Sequence, residues 1–321
     1  IIKILGSLLI IEAAGMLLSL IVSLIYNEHD KAAFNASIII TALAGFVMYK
    51  IPKRKDTIRI KEGMAIVAVG WVIISIFGSL PFIISGSIPS FTDAFFETVS
   101  GFSTTGATIL GNIEELPRGI LFWRSFTHWI GGMGIVVFTV AVLPALGVGG
   151  LKIIQAESPG PSTEKIVPRI KDTAKILYTV YIGLTVLETI LLMLGGMSLY
   201  DALIHTFGTV GTGGFSSRNA SIGAYESPYI RIVIAVFMVL AGTNFALYYA
   251  LYRRKWREIY EDREVRLYLG IILVSTILIA INIDVNIYNN IGTSLKNAFF
   301  QVSSIISTTG YMTVNFDQWP T

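Results

Sequence analysis

Three short runs of hydroxyl residues and glycine carry the chemistry of this sequence: Ser103-Thr104-Thr105-Gly106, Gly211-Thr212-Gly213-Gly214 and Ser307-Thr308-Thr309-Gly310. Glycine admits backbone conformations closed to other residues and adds no side chain. Threonine and serine add oxygens without formal charge, and none of the runs contains an acid. Such loops suit a dehydrated monovalent cation, which must exchange its water shell for oxygens of similar field strength; rings of main-chain carbonyls do this. A neutral ring also lets the ion go. The candidate ion ligands are Thr104, Thr105, Gly106, Thr212, Gly213, Gly214, Thr308, Thr309 and Gly310.

A single Ser-Thr-Thr-Gly would be read more simply as a turn or a site of close helix packing. Register argues against that here. Laid on one another without gaps, 93–108 and 297–312 match at eight of sixteen positions, 93–108 and 201–216 at five, and 201–216 and 297–312 at three. Each copy opens with a moderately apolar stretch of about ten residues, which as helix reaches about 15 Å, half of a ~30 Å bilayer core. Each stretch therefore reads as a re-entrant helix whose C-terminal end, with its partial negative charge, favours a cation at the membrane centre. Asp93 and Asp201, with Thr92, are the expected caps at the helix starts.

These loops need membrane-spanning helices to hold them. Of 321 residues, 53% are hydrophobic and 14% charged, against roughly 25% charged in soluble domains. Runs 32–49, 64–84, 125–151, 232–251 and 267–283 lack any charged residue, while 4–26 contains only Glu12 and 176–197 only Glu188. Each is about long enough to cross a bilayer. Of the 24 basic residues, 17 lie in 50–62, 151–175 and 252–266, which the positive-inside rule makes cytoplasmic. The N-terminus is then cytoplasmic and all three glycine loops enter from outside. Cysteine is absent, which excludes disulfides and thiolate metal sites. Three scattered histidines without HExxH spacing argue against an intramembrane enzyme.

The expected fold class is an all-α polytopic membrane protein with repeated membrane–pore-loop–membrane units around a central ion pore. Residues 1–62 hold an extra helix pair and a cytoplasmic loop. Residues 63–151, 152–254 and 255–321 form first, second and incomplete third repeats, and a fourth unit is expected to follow Thr321. Other polar residues invite function. His128 is a candidate proton relay or, more simply, a hydrogen-bonding partner for a neighbouring helix. Arg124, near the outer boundary, either snorkels or pairs with an acid. Glu97, His205 and Gln301 share one repeat position and could brace the short helices. Arg253, Arg254 and Lys255 stand in a mixed-charge connector able to receive a protein or anionic lipid.

At these residues the sequence resembles the Trk/Ktr/HKT superfamily of potassium transporters, and within it the TrkH-type subunit. The likeness extends to 124–134 (RSFTHWIGGMG), 156–161 (AESPGP), 168–170 (PRI) and the extra N-terminal helix pair. It implies four membrane–pore-loop–membrane units around one pore in a homodimer, with potassium as the transported ligand and no cofactor. It also implies a cytosolic nucleotide-binding regulatory subunit of the TrkA kind, a bacterial or archaeal inner membrane, and no nucleic-acid partner. Filter glycines of the family match Gly106, Gly214 and Gly310, and glycine in the first loop goes with potassium selectivity. Gly213 departs from the threonine of the other two loops. Passive conduction and symport with protons or sodium both remain open; the coupling ion would fall to Glu12, Glu97, Glu188, His128 or His205.

Overall fold

The charge-poor runs become helices because a chain in hydrocarbon must satisfy its own backbone donors and acceptors. The computed structural model describes residues 1–51, 60–146, 170–244 and 246–320; the motifs at 156–161 and 168–169 and much of the two basic loops before them lie outside these. Among the described residues every regular element is helical. Five of the seven runs form helices long and apolar enough to cross a membrane: Ile2–Ile25, Lys31–Lys50, Ala65–Ile84, Lys175–Leu194 and Arg263–Tyr288. The chain divides into two compact units, one of residues 1–103 and 107–178, the other of 104–106 and 179–321.

In the first unit α1 (Ile2–Ile25) folds back on α2 (Lys31–Lys50) and also contacts α3 (Ile60–Gly78) and α6 (Arg118–Leu146). The short α4 (Leu80–Ile84) continues α3, and α5 (Phe91–Phe102) lies against α3 and α6. The α1–α2 seam is glycine against glycine. A Cβ on Gly6 would stand 2.6 Å from the Gly45 carbonyl oxygen, and one on Gly45 2.9 Å from that of Gly6. Small residues let backbones approach this closely where no hydrophobic force drives helices together. Gly45→Val is therefore expected to cost about 1–3 kcal/mol by overpacking, read as a lower thermal midpoint in detergent; an unchanged midpoint would mean the seam is loose.

The second unit takes up α7 (Ile170–Leu194) from Thr179 onward. It adds α8 (Leu199–Val210), α9 (Pro228–Ala241), α10 (Ala246–Tyr252), α11 (Trp256–Glu261), α12 (Arg263–Ile283) and α13 (Ile291–Ile306). Helix α13 packs on α12 and α9, and α8 on α9.

The short helices are present in all three repeats: α5 and α8 with 12 residues each, α13 with 16. Their caps differ from the expected ones. The side chains of Ser90, Ser198 and Asn290 accept from the amides of Asp93, Asp201 and Thr293. Asp93 and Asp201 sit inside the first turn, where a carboxylate favours the positive helix end, and Thr92 likewise lies within the helix.

The run 232–251 is not one helix. It begins earlier, at Pro228, stops at Ala241 and resumes at Ala246. Hydroxyl groups occupy the carbonyls near the break: Tyr248 Oη donates to Leu240 O at 2.7 Å, and Thr243 Oγ1 and Tyr268 Oη donate to Val239 O at 2.8 and 3.2 Å. Irregular backbone at membrane depth is tolerated only where such partners exist. Helix α6 is kinked at Gly134, whose φ is 55°. Gly134 and Gly242 each lie 28 positions beyond the filter glycine of their repeat, so the interruption belongs to the repeated unit.

Candidate functional site

Each short helix delivers its loop in the same conformation. Thr104, Thr212 and Thr308 have φ of 55°, 55° and 61°, and Gly106, Gly214 and Gly310 have 75°, 77° and 84°. A β-branched residue in the left-handed region is rare, and three at one repeat position show a shared geometry. Gly213 does not disturb it.

The loop amides turn back onto the helix ends. Gly213 N and Gly214 N donate to Gly208 O at 2.9 and 3.2 Å, and Thr309 N and Gly310 N donate to Ser304 O at 2.9 and 3.4 Å. In a trans peptide the preceding carbonyl points opposite to the N–H. The carbonyls of Thr212, Gly213, Thr308 and Thr309 therefore face away from their own helices.

The second unit gathers all three loops, because residues 104–106 belong to it. A Cβ on Gly106 would fall on the carbonyl oxygen of Gly213, and one on Gly214 on that of Thr309. Two of the three filter glycines, Gly106 and Gly214, thus abut the penultimate filter residue of the next loop. A Cβ on Gly310 would meet nothing within 4 Å. All nine candidate ligands lie in these three loops. Thr309 Oγ1 is buried against Ser307 Oγ at 2.7 Å, so at the position that Gly213 occupies in the second loop the third loop turns its hydroxyl to its own serine.

Just past each filter glycine a carbonyl is held by a hydroxyl. Ser100 Oγ donates to Ala107 O at 2.6 Å and Ser304 Oγ to Tyr311 O at 2.8 Å. In the second repeat the matching helix position is Gly208, and Tyr311 Oη takes over, its one hydrogen shared between Phe215 O at 3.1 Å and His205 O at 3.0 Å, the latter also accepting from Thr209 Oγ1 at 2.8 Å. A Cβ on Gly208 would collide with that hydroxyl. Tyr311→Phe leaves the Phe215 and His205 carbonyls without this donor, a loss of about 1–3 kcal/mol. It is expected to weaken rubidium uptake without blocking membrane insertion; uptake equal to wild type would remove the role.

The bracing positions behave as a set in two repeats. Glu97 Oε1 accepts from Thr108 Oγ1 at 2.8 Å and Arg124 Nε at 2.6 Å, while Oε2 accepts from Ile109 N at 3.1 Å. His205 Nε2 lies 2.9 Å from Ser216 Oγ and Nδ1 2.7 Å from Asp201 O. In the third repeat Met312 replaces the hydroxyl, and Gln301 Oε1 is buried without a hydrogen bond among the described residues.

The segment 124–134 gains a physical reading. Arg124 is buried in the ion pair. His128 is buried and hydrogen-bonds the Ser100 main chain. A Cβ on Gly131 would collide with the Phe102 carbonyl, where α6 crosses the end of α5. Among the described residues no cluster of three His, Asp or Glu could hold a metal ion.

Fold and loops together define a polytopic membrane protein built on repeated re-entrant glycine loops. The chain belongs to the TrkH family, described as cation transport protein, whose profile matches residues 29–321. The Trk system potassium uptake protein TrkH of Salmonella typhimurium is 39% identical over 323 residues, covering 99% of this chain and 67% of that protein. TrkG of Escherichia coli K12 is 35% identical over 98% of this chain and 66% of its own length. The crystal structure of the potassium transporter TrkH from Vibrio parahaemolyticus superposes with a TM-score of 0.86 at 34% identity, covering 100% of this chain and 66% of that one. The chain thus spans about two thirds of the length of these relatives. It falls in a family of transporters, not enzymes.

Proposed function

We propose that this chain takes potassium into the cell by channel-like conduction, with dehydrated ions passing main-chain carbonyls of Thr104–Gly106, Thr212–Gly214 and Thr308–Gly310. The observation that carries this reading is the contact of the first loop with the second and of the second with the third, Gly106 lying against the Gly213 carbonyl and Gly214 against that of Thr309. Relatives named as potassium uptake proteins support the choice of ion. The pore units are 63–151, 152–254 and 255–321, behind the helix pair of 1–62. The protein sits in the plasma membrane with its N-terminus inside, as a homodimer. A cytosolic nucleotide-binding subunit of the TrkA kind regulates it, and exposed Arg253, Arg254 and Lys255 form part of its landing surface.

A second reading, symport, is favoured by one observation: Glu12 and Glu188 are buried within membrane-spanning helices, where ionisable groups are commonly functional. Reversal potentials of the full-length protein in proteoliposomes separate the two. Conduction gives a potential that follows the potassium gradient alone. A shift on imposing a proton or sodium gradient establishes coupling, and no potassium-dependent current at all rejects both.

A further inference from the structure

Behind the end of α5 in the first repeat lies a cavity of about 430 Å³ between α1, α3 and α6. Its volume is within the range of small-molecule sites. Five aromatic side chains, Trp71, Phe102, Phe126, Trp129 and Tyr178, stand among otherwise aliphatic walls. Phe126 and Trp129 stack at 5.4 Å between centroids, and Trp71 tilts against Phe102 at 6.4 Å. Ile11 and Leu18 also line it and are 52% and 44% exposed, so the cavity reaches the apolar outer face of α1, a membrane-spanning helix by length and composition.

Among these walls stands one acid. Glu12 is 4% exposed, and neither carboxyl oxygen has a hydrogen-bond partner among the described residues. Glu97, the other acid buried near α6, has three donors. Two donors around Gly78, which Glu12 Oε1 also approaches, are engaged elsewhere: Thr98 Oγ1 donates to Ala94 O at 2.7 Å and Trp123 Nε1 to Gly78 O at 2.9 Å. A carboxyl group so placed is either neutral or met by a positive partner, and the surrounding walls favour the second. An inorganic cation would need a shell of oxygens that these walls do not offer. Aromatic faces around a carboxylate are the means by which proteins recognise organic ammonium groups.

We propose that this cavity binds an alkylammonium group, entering from the bilayer, with its charge at Glu12 and its apolar part among the aromatic rings. The group could be carried by a soluble amine or by an aminophospholipid, since both present the same chemistry. The test uses the full-length protein in nanodiscs, titrated with benzyltrimethylammonium and with its neutral carbon isostere, neopentylbenzene, and followed by tryptophan emission. The ammonium should bind at least about tenfold more tightly than the isostere, and Glu12→Gln should bring the two to within about twofold. Trp129→Phe should reduce the emission change, placing the probe in this cavity. Equal binding of the two probes by wild type, no binding, or an ammonium preference that survives Glu12→Gln overturns the proposal. The wild-type comparison needs no variant, so it holds if Glu12→Gln fails to fold. The ratio of affinities in phosphatidylethanolamine and phosphatidylglycerol nanodiscs is read against Glu12→Gln, which carries the same lipid surface charge: a loss in phosphatidylethanolamine larger for wild type than for the variant identifies the lipid headgroup as occupant, and equal losses leave a soluble amine.

Discussion

Gly106→Ser is expected to collapse discrimination between potassium and sodium, lowering the ratio of rubidium to sodium uptake by about tenfold or more. Two effects act together. The φ of 75° at Gly106 costs an L-residue about 1–2 kcal/mol. The added Cβ would also fall on the Gly213 carbonyl oxygen, so relief of the overlap moves a proposed ion ligand of the neighbouring loop. A fraction of an ångström there changes the ring that must match a dehydrated ion. Gly111→Ser serves as the control, because a Cβ at Gly111 meets nothing within 4 Å and its φ is not positive. Uptake ratios alike in the two variants would remove Gly106 from the ion path.

The second large effect falls on the scaffold. Arg124→Met leaves the Glu97 carboxylate buried with only Thr108 and Ile109 as donors. Breaking a buried pair from one side costs about 3–5 kcal/mol, because the remaining charge is uncompensated. The expected readout is a thermal midpoint lower by many degrees and poor recovery of folded protein. Adding Glu97→Gln should restore part of the loss by removing that stranded charge. A double variant no more stable than Arg124→Met would show that the arginine acts through packing, not through Glu97.

The loops were legible because the sequence solves the same problem three times, and the repeat revealed what a lone Ser-Thr-Thr-Gly could not. Their left-handed threonines were not legible, since local sterics disfavour that conformation for a β-branched residue; the helix ends impose it, Thr212 N and Gly213 N donating to Thr209 O and Gly208 O, and Thr308 N and Thr309 N to Ile305 O and Ser304 O, a helix stop that glycine normally supplies. The caps were missed although Ser90 and Ser198 stand three residues before Asp93 and Asp201, a spacing typical of helix starts; the acids drew the assignment to themselves. The break after Ala241 was visible in Gly242-Thr243-Asn244, yet absence of charge hid it. Pairing of Arg124 with an acid was anticipated in kind, but its partner required the fold. Tyr311 could not be found by local reasoning, because it repairs a different repeat. The one hint was glycine at 208 where Ser100 and Ser304 stand in the other copies.

The most direct measurement is a structure of the full-length protein soaked with thallium(I), a potassium substitute that scatters anomalously. Anomalous peaks should lie between the loops, within coordination distance of the main-chain oxygens of Thr104 and Thr105, Thr212 and Gly213, and Thr308 and Thr309. Thallium bound elsewhere in the membrane region, with none at these carbonyls, would contradict the assignment of the three loops as the ion path.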